Sequence, residues 1–245
     1  MVGDLSAQAL AHVLPDRPLR SYPALLSTEA DALAWARAGA PEGAVVVADY
    51  QASPRGRGGL PWTVRAGAAL GFSLVLRPHL APAREGWMYT VATSGVADAL
   101  GADATIEWPD AVHVAGSPAA AVGVHVELGP AATAWAVVNV LIGESPVPRG
   151  PLLARVVEAI EARHRQPSAR VLADYVPRCH TLGRTVRARL LPLGPGGAEV
   201  AGRAARCLND GALVIETPAG ERIAVTPHSL GLLEAAPGDD GAPAV

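Results

Sequence analysis

The sequence predicts an α+β fold followed by a small all-β module, on three observations. Residues 27–36 and 151–164 carry the caps and apolar spacing of helices. The run at 44–48 is continuous and Val-rich, as a strand buried on both faces is. After Cys179 the pattern changes to short alternating segments separated by Gly, Asn and Asp turns, as in a small β-barrel.

Residues 1–22 read as short and irregular, punctuated by Pro15 and Pro18, and cannot hold a winged-helix domain. Ser27-Thr28 supply capping hydroxyls, and Glu29 and Asp31 supply first-turn acids, for a helix that Gly39 and Gly43 end. Residues 52–61 must form a loop, because Pro54, Gly56, Gly58, Gly59 and Pro61 defeat both regular structures. A strand is expected at 70–76, a helix of small residues at 87–100, and strands at 104–107, 121–128 and 133–141, with a Gly/Pro/Ala loop at 115–120. The helix at 151–164 sets Leu152, Leu153, Val156, Val157 and Ile160 against Arg155, Glu158, Glu161 and Arg163, and a further helix is expected at 168–176. Strands follow at 183–191, 198–207, 211–217 and 221–226. The division expected is a main unit at 1–178, a small β-barrel at 179–234 and a disordered polar tail at 235–245.

Half of the 245 residues are apolar, but Ala and Val dominate and one Phe is present, so elements must approach closely. The net charge of −3 offers no general attraction to nucleic acid or anionic membranes. No helix-turn-helix or basic aromatic stripe supports nucleic-acid binding. No apolar run is long enough to span a bilayer, and Asp4 with no basic segment argues against a signal peptide. Two cysteines make no disulfide framework, so cytoplasmic residence is expected. All 20 basic residues among Lys and Arg are Arg. GC-rich codon usage accounts for few lysines in general, not for what occupies a particular position.

Four segments, in order, carry a family likeness. They are Ser27-Thr28-Glu29 at a helix start, the Gly/Arg loop from Gln51 through Arg55-Gly56-Arg57 to Trp62, Glu107-Trp108-Pro109-Asp110 with the strand Gly123-Val124-His125-Val126-Glu127, and Thr181-Leu182-Gly183-Arg184. Together they resemble biotin–protein ligases over residues 22–234, of the short type without a DNA-binding domain. The resemblance implies a mixed β-sheet flanked by helices of the biotin/lipoate ligase type, then a small C-terminal β-barrel. It implies biotin and ATP with Mg as ligands, biotinyl-adenylate as intermediate and a lysine of a carboxylase carrier domain as acceptor.

Carried over by position, Ser27, Thr28 and Gln51 would line a biotin pocket, while Arg55, Gly56 and Arg57 would cradle the acyl-phosphate. Trp62 and Trp108 would pack by the adenine or brace the loops, and Asn139 would face the nucleotide. Plainer roles stand beside these: Ser27 and Thr28 as helix caps, Arg55 and Arg57 as solvated loop charges, Trp108 as a core aromatic, and Asn139 as a buried amide that needs partners anywhere.

The family's motif lysine falls at Glu107, a reversal of charge, and a second lysine falls in the stretch 117–121. A loop arginine is Leu60, the helix-start Asn is Glu29, and glycines preceding Asn139 are Trp135 and Val137. These departures gather around the nucleotide, which predicts lost or strongly weakened activity. The expected role is then a pseudoenzyme that binds a carrier domain or a homologous active ligase, with a homodimer through sheet edges as the family's habit. Alternatives are an active biotin or acyl ligase using Arg57 or Arg65 as its cation, and a non-catalytic small-molecule binding module. No metal site is expected, since His113 and His125 lack ligand spacing, and Cys179 beside His180 makes a poor nucleophile pair.

Overall fold

The computed structural model describes residues 4–57, 62, 67–144, 147–194 and 196–235. The expectations placed on Gly58, Gly59, Leu60, Arg65 and residues 236–245 lie outside these described residues. Seven strands form one mixed sheet: β1 (Leu19–Tyr22), β2 (Val45–Ala48), β3 (Leu70–Leu76), β4 (Ala104–Glu107), β5 (Ala111–Val114), β6 (Ser117–Leu128) and β7 (Thr133–Ile142). Their order is β1-β2-β3-β7-β6-β5-β4. Only β1 and β2 pair in parallel; the other neighbours are antiparallel.

β2 and β3 are buried at every position, so their sequences run apolar without alternation. On one face, α3 (Trp87–Leu100) and α4 (Arg149–His164) pack against Phe72, Leu74, Val138 and Val140. On the other, α2 (Thr28–Arg37) lays Ala32 and Ala36 over Val46, Val75, Trp135 and Val137. The alanines let α2 sit low on the sheet, which brings its N-terminus onto the middle strands. α5 (Ser168–Tyr175) follows α4 and buries Val171 and Tyr175.

The second sheet holds β8 (Thr185–Leu190), β9 (Glu199–Cys207), β10 (Leu213–Glu216), β11 (Arg222–Val225) and β12 (Leu230–Ala235). All its pairs are antiparallel, in the order β11-β10-β9-β8-β12. It is an open sheet, not the expected barrel. β12 returns to the free side of β8, so β11 and β12 end at opposite edges and no pair closes the circle. This sheet docks on the first through Trp108, whose indole N–H donates to the Gly211 carbonyl at 2.9 Å and whose backbone N–H donates to Thr181 Oγ1 at 2.8 Å.

Four elements went unforeseen. Within the supposedly irregular start, α1 (Ala7–Val13) is capped by Ser6, whose hydroxyl accepts from the Ala9 N–H at 3.2 Å, and β1 follows the prolines. The loop expected at 115–120 shrinks to a turn at Ala115 and Gly116, both at positive φ, between β5 and β6. Pro118 sits in β6 opposite His113, beside a register shift that absorbs its missing N–H. β12 was also missed.

At the α3–α4 crossing, a β-carbon on Gly95 would lie 2.6 Å from the backbone N and Cα of Ile160. Gly95→Ala would gain about 1 kcal/mol of helix propensity, but backbone cannot retreat as a flexible side chain can, and overpacking costs about 1–3 kcal/mol. A clash with backbone takes the upper end of that cost, so we expect a net loss of about 2 kcal/mol and a Tm lower by roughly 4–8 °C in thermal unfolding. An unchanged or raised Tm would show that the two helices do not pack this closely.

Candidate active site

Beneath the N-terminus of α2 the sheet face carries a line of buried polar groups. Ser73 on β3 is in register with Asn139 on β7, which is in register with Gly123 on β6. The Ser73 hydroxyl lies 2.7 Å from Asn139 Oδ1 and 2.9 Å from Thr28 Oγ1. Gln51 Oε1 accepts from the backbone N–H of Thr28 at 2.8 Å and from its hydroxyl at 3.0 Å. All four side chains are buried. One hydroxyl hydrogen cannot serve two oxygens; with Ser73 donating to Asn139 Oδ1 and Thr28 to Gln51 Oε1, the Asn139 amide nitrogen is left on the side of Glu29. The Gln51 amide nitrogen presses on the Gly71 backbone, where any β-carbon would collide with it.

The Gly/Arg loop lies directly on the strand at the end of this line. A β-carbon on Gly123 would meet the Gly56 carbonyl carbon at 3.0 Å and the Arg57 nitrogen at 3.3 Å, so glycine there permits the close approach. The Trp62 indole covers Gly56 from the other side. Next to them opens a cavity of about 250 Å³, lined among others by Glu29, Arg57, Tyr89, His125, His228 and Leu230.

Arg57 is buried, and its guanidinium is committed to the protein. Nε–H donates to Asp110 at 2.9 Å, and the terminal nitrogens donate to the carbonyls of Leu230 and, at 3.4 Å, Gly231. Loop, β4–β5 turn and β12 thus meet on one cation. Burial pushes the Asp110 carboxyl above its ordinary range, although Arg57 works against that rise. Burial likewise raises Glu29, opposed by the Asn139 amide and the charges of His125 and Arg55, and lowers His228. The cavity therefore holds one paired cation among groups that resist charging.

Glu107 is absent from this lining. Its Oε2 lies 3.0 Å from His113 Nε2 and 3.8 Å from His180 Nε2, and the His180 contact is the largest influence holding its carboxyl below the ordinary glutamate range. It borders a separate small hollow with Thr181 and Arg184.

No protein-family model matches the chain. It is 29% identical over 216 residues to the biotin–[acetyl-CoA-carboxylase] ligase of Mycobacterium tuberculosis, covering 78% of this chain and 80% of that one. It is 32% identical over 108 residues to the bifunctional ligase/repressor BirA of Bacillus subtilis, 42% of this chain but only 33% of that protein's length. Biotin protein ligase from Aquifex aeolicus in complex with biotin and ATP superposes with a TM-score of 0.69 at 19% identity, over 89% of this chain and 99% of that one, a likeness of fold.

The chain is a biotin–protein ligase homologue. Of the residues singled out in this homologue's sequence, Thr28, Gln51 and Asn139 share one hydrogen-bonded chain, and Gly56 and Arg57 reach the cavity. Ser27 sits at the N-cap of α2, yet its side chain makes no capping bond. Trp108 is a core aromatic tied to the second sheet, 2% exposed. Trp135 and Val137 pack under α2, with Trp135 stacked on His125. Glu107 does not line the cavity and faces two histidines, although its charge still adds to the rise of Asp110, the partner of Arg57. His113, read as lacking ligand spacing, and His180, read only beside Cys179, converge in space. Sequence reading missed Ser73, Tyr89, Asp110 and His228. The acid after Trp108-Pro109 was the available sign, as a buried carboxylate needs a cation.

Native Glu29 holds its proton more tightly than unfolded glutamate, so its contribution to stability falls as pH rises from the ordinary value of 4.5 through the native one. The α2 dipole favours its charged form by only about 0.5 kcal/mol, and burial dominates. Glu29→Gln removes this loss. Urea unfolding should show the variant gaining on the parent at pH 7, with the advantage shrinking toward pH 4. An equal difference at both values would contradict the raised proton affinity.

Proposed function

We propose that this homologue keeps a pocket for a small, neutral, hydrogen-bonding ligand of the biotin type and makes biotinyl-adenylate only weakly, serving by binding a carboxylase carrier domain or an active ligase. One observation supports this above the rest: the guanidinium of Arg57, the arginine lining the cavity among the described residues, is occupied by Asp110 and two backbone carbonyls. A nucleotide triphosphate brings several negative charges and needs free donors aimed at its phosphates. This cavity offers a paired cation and a glutamate, and the chain has no lysine to add. The other end suits a ligand better, because amide and hydroxyl groups already oriented by one another match the donors and acceptors of a ureido ring. We take residues 1–178 as the unit that binds the ligand, with 179–234 as a second unit and Arg57 bridging them.

A second reading, an active ligase that uses arginine as its cation, is favoured by the position of Arg57 at the cavity. Pyrophosphate exchange with biotin, ATP and Mg²⁺, run beside the Mycobacterium tuberculosis relative, separates the two. Loss of a charge-stabilising donor costs about 10²–10³ in rate, so exchange should be slower than the relative's by about that factor while calorimetry detects biotin. Asp110→Asn should raise exchange by freeing the guanidinium. Exchange at the relative's rate in the unaltered protein would overturn the first reading.

A further inference from the structure

Outside the cavity, three metal-ligating side chains meet at the seam between the two sheets. β4 and β5 pair so that Thr105 stands opposite His113 and Glu107 opposite Ala111. Directly opposed residues of an antiparallel pair share a face, and so do positions two apart on a strand, so Thr105, Glu107 and His113 all project together. His180 comes from the chain just after α5. Its backbone N–H donates to the Ile106 carbonyl at 3.0 Å, and Cys179 bridges to Ile106. The ligand atoms of Glu107, His113 and His180 all lie within 4.8 Å of one another.

We propose that Glu107, His113 and His180 bind one divalent transition-metal ion, zinc foremost, as a clasp between the β4–β5 hairpin and the start of the second sheet. The ligand chemistry is two imidazoles and a carboxylate, a set that selects zinc and its neighbours over calcium or magnesium. Zinc bonds of about 2.0–2.1 Å at tetrahedral angles place ligand atoms about 3.4 Å apart. The two distances to Glu107 Oε2, 3.0 and 3.8 Å, fall on either side of that spacing. The imidazoles stand perpendicular with centroids 5.1 Å apart, so both can point a nitrogen at one ion without the rings colliding.

An outer partner is also in place. Thr105 Oγ1 lies 3.3 Å from His180 Nδ1 and can accept from Nδ1–H in the tautomer whose Nε2 is free to ligate. The side chains are partly open to solvent, at 15% for His113, 29% for His180 and 41% for Glu107, which gives an ion a way in and a water the fourth position. Arg184 borders the same hollow. Because Glu107 does not line the cavity, this role is structural and independent of the function proposed above.

The full-length, tag-free protein would be stripped with a chelator and titrated with Zn²⁺ by calorimetry and with Co²⁺ by visible absorption. We expect one ion per chain, tetrahedral cobalt bands, and a Tm that rises with zinc concentration. Glu107→Gln and His180→Ala should each weaken binding at least about tenfold, while His125→Ala leaves it unchanged. Absence of stoichiometric binding in the unaltered protein overturns the proposal whether or not the variants fold. So does unchanged affinity in folded Glu107→Gln and His180→Ala, or a thiolate-to-cobalt charge-transfer band, which would place the ion on Cys179 instead.

Discussion

The buried guanidinium of Arg57 is the contact on which the site's shape depends. It joins the Gly/Arg loop to Asp110 at the β4–β5 turn and to the first residues of β12, so one side chain ties together both sheets and the loop between them. A buried charge persists only when its hydrogen bonds are satisfied, and here each nitrogen of the group has an acceptor. The bonds that make this arrangement firm also commit three of the five N–H donors of Arg57 to protein oxygens, leaving two for any other partner.

Around that clasp the two ends of the cleft differ in kind. The inner end is a chain of neutral groups from Asn139 to Gln51, each restrained by the next and by the low seat of α2 on its alanines. Such a chain keeps its geometry with no ligand present, the condition for binding a small ring without ordering costs. The outer end carries acids that burial discourages from ionising and a histidine, His228, that burial discourages from protonating. A site built to meet a polyphosphate would show the opposite balance.

The architecture was largely readable in the sequence because it is written in periodicity. The strand at 70–76, the helix at 87–100 and the strand at 104–107 lie where their patterns place them. The failures share a cause. α1 and β5 are too short to establish a period, Pro118 resembles a loop residue until its bulge is seen, and barrel closure depends on which edge β12 joins, a long-range choice absent from local pattern. The site was legible as residue types, less so as roles. Motif position marked Glu107 as facing a phosphate, whereas strand register turned it toward His113 and His180. Asp110, read only as part of a motif, proved to be the partner that decides what Arg57 can do.

A double-mutant cycle on Arg57→Gln and Asp110→Asn, read by urea unfolding at neutral pH, tests this most directly. The account predicts a coupling energy of at least about 1.5 kcal/mol, in the range of close, desolvated charge pairs. A coupling near zero would mean that the guanidinium is not held by the carboxylate in solution and remains free to meet a phosphate.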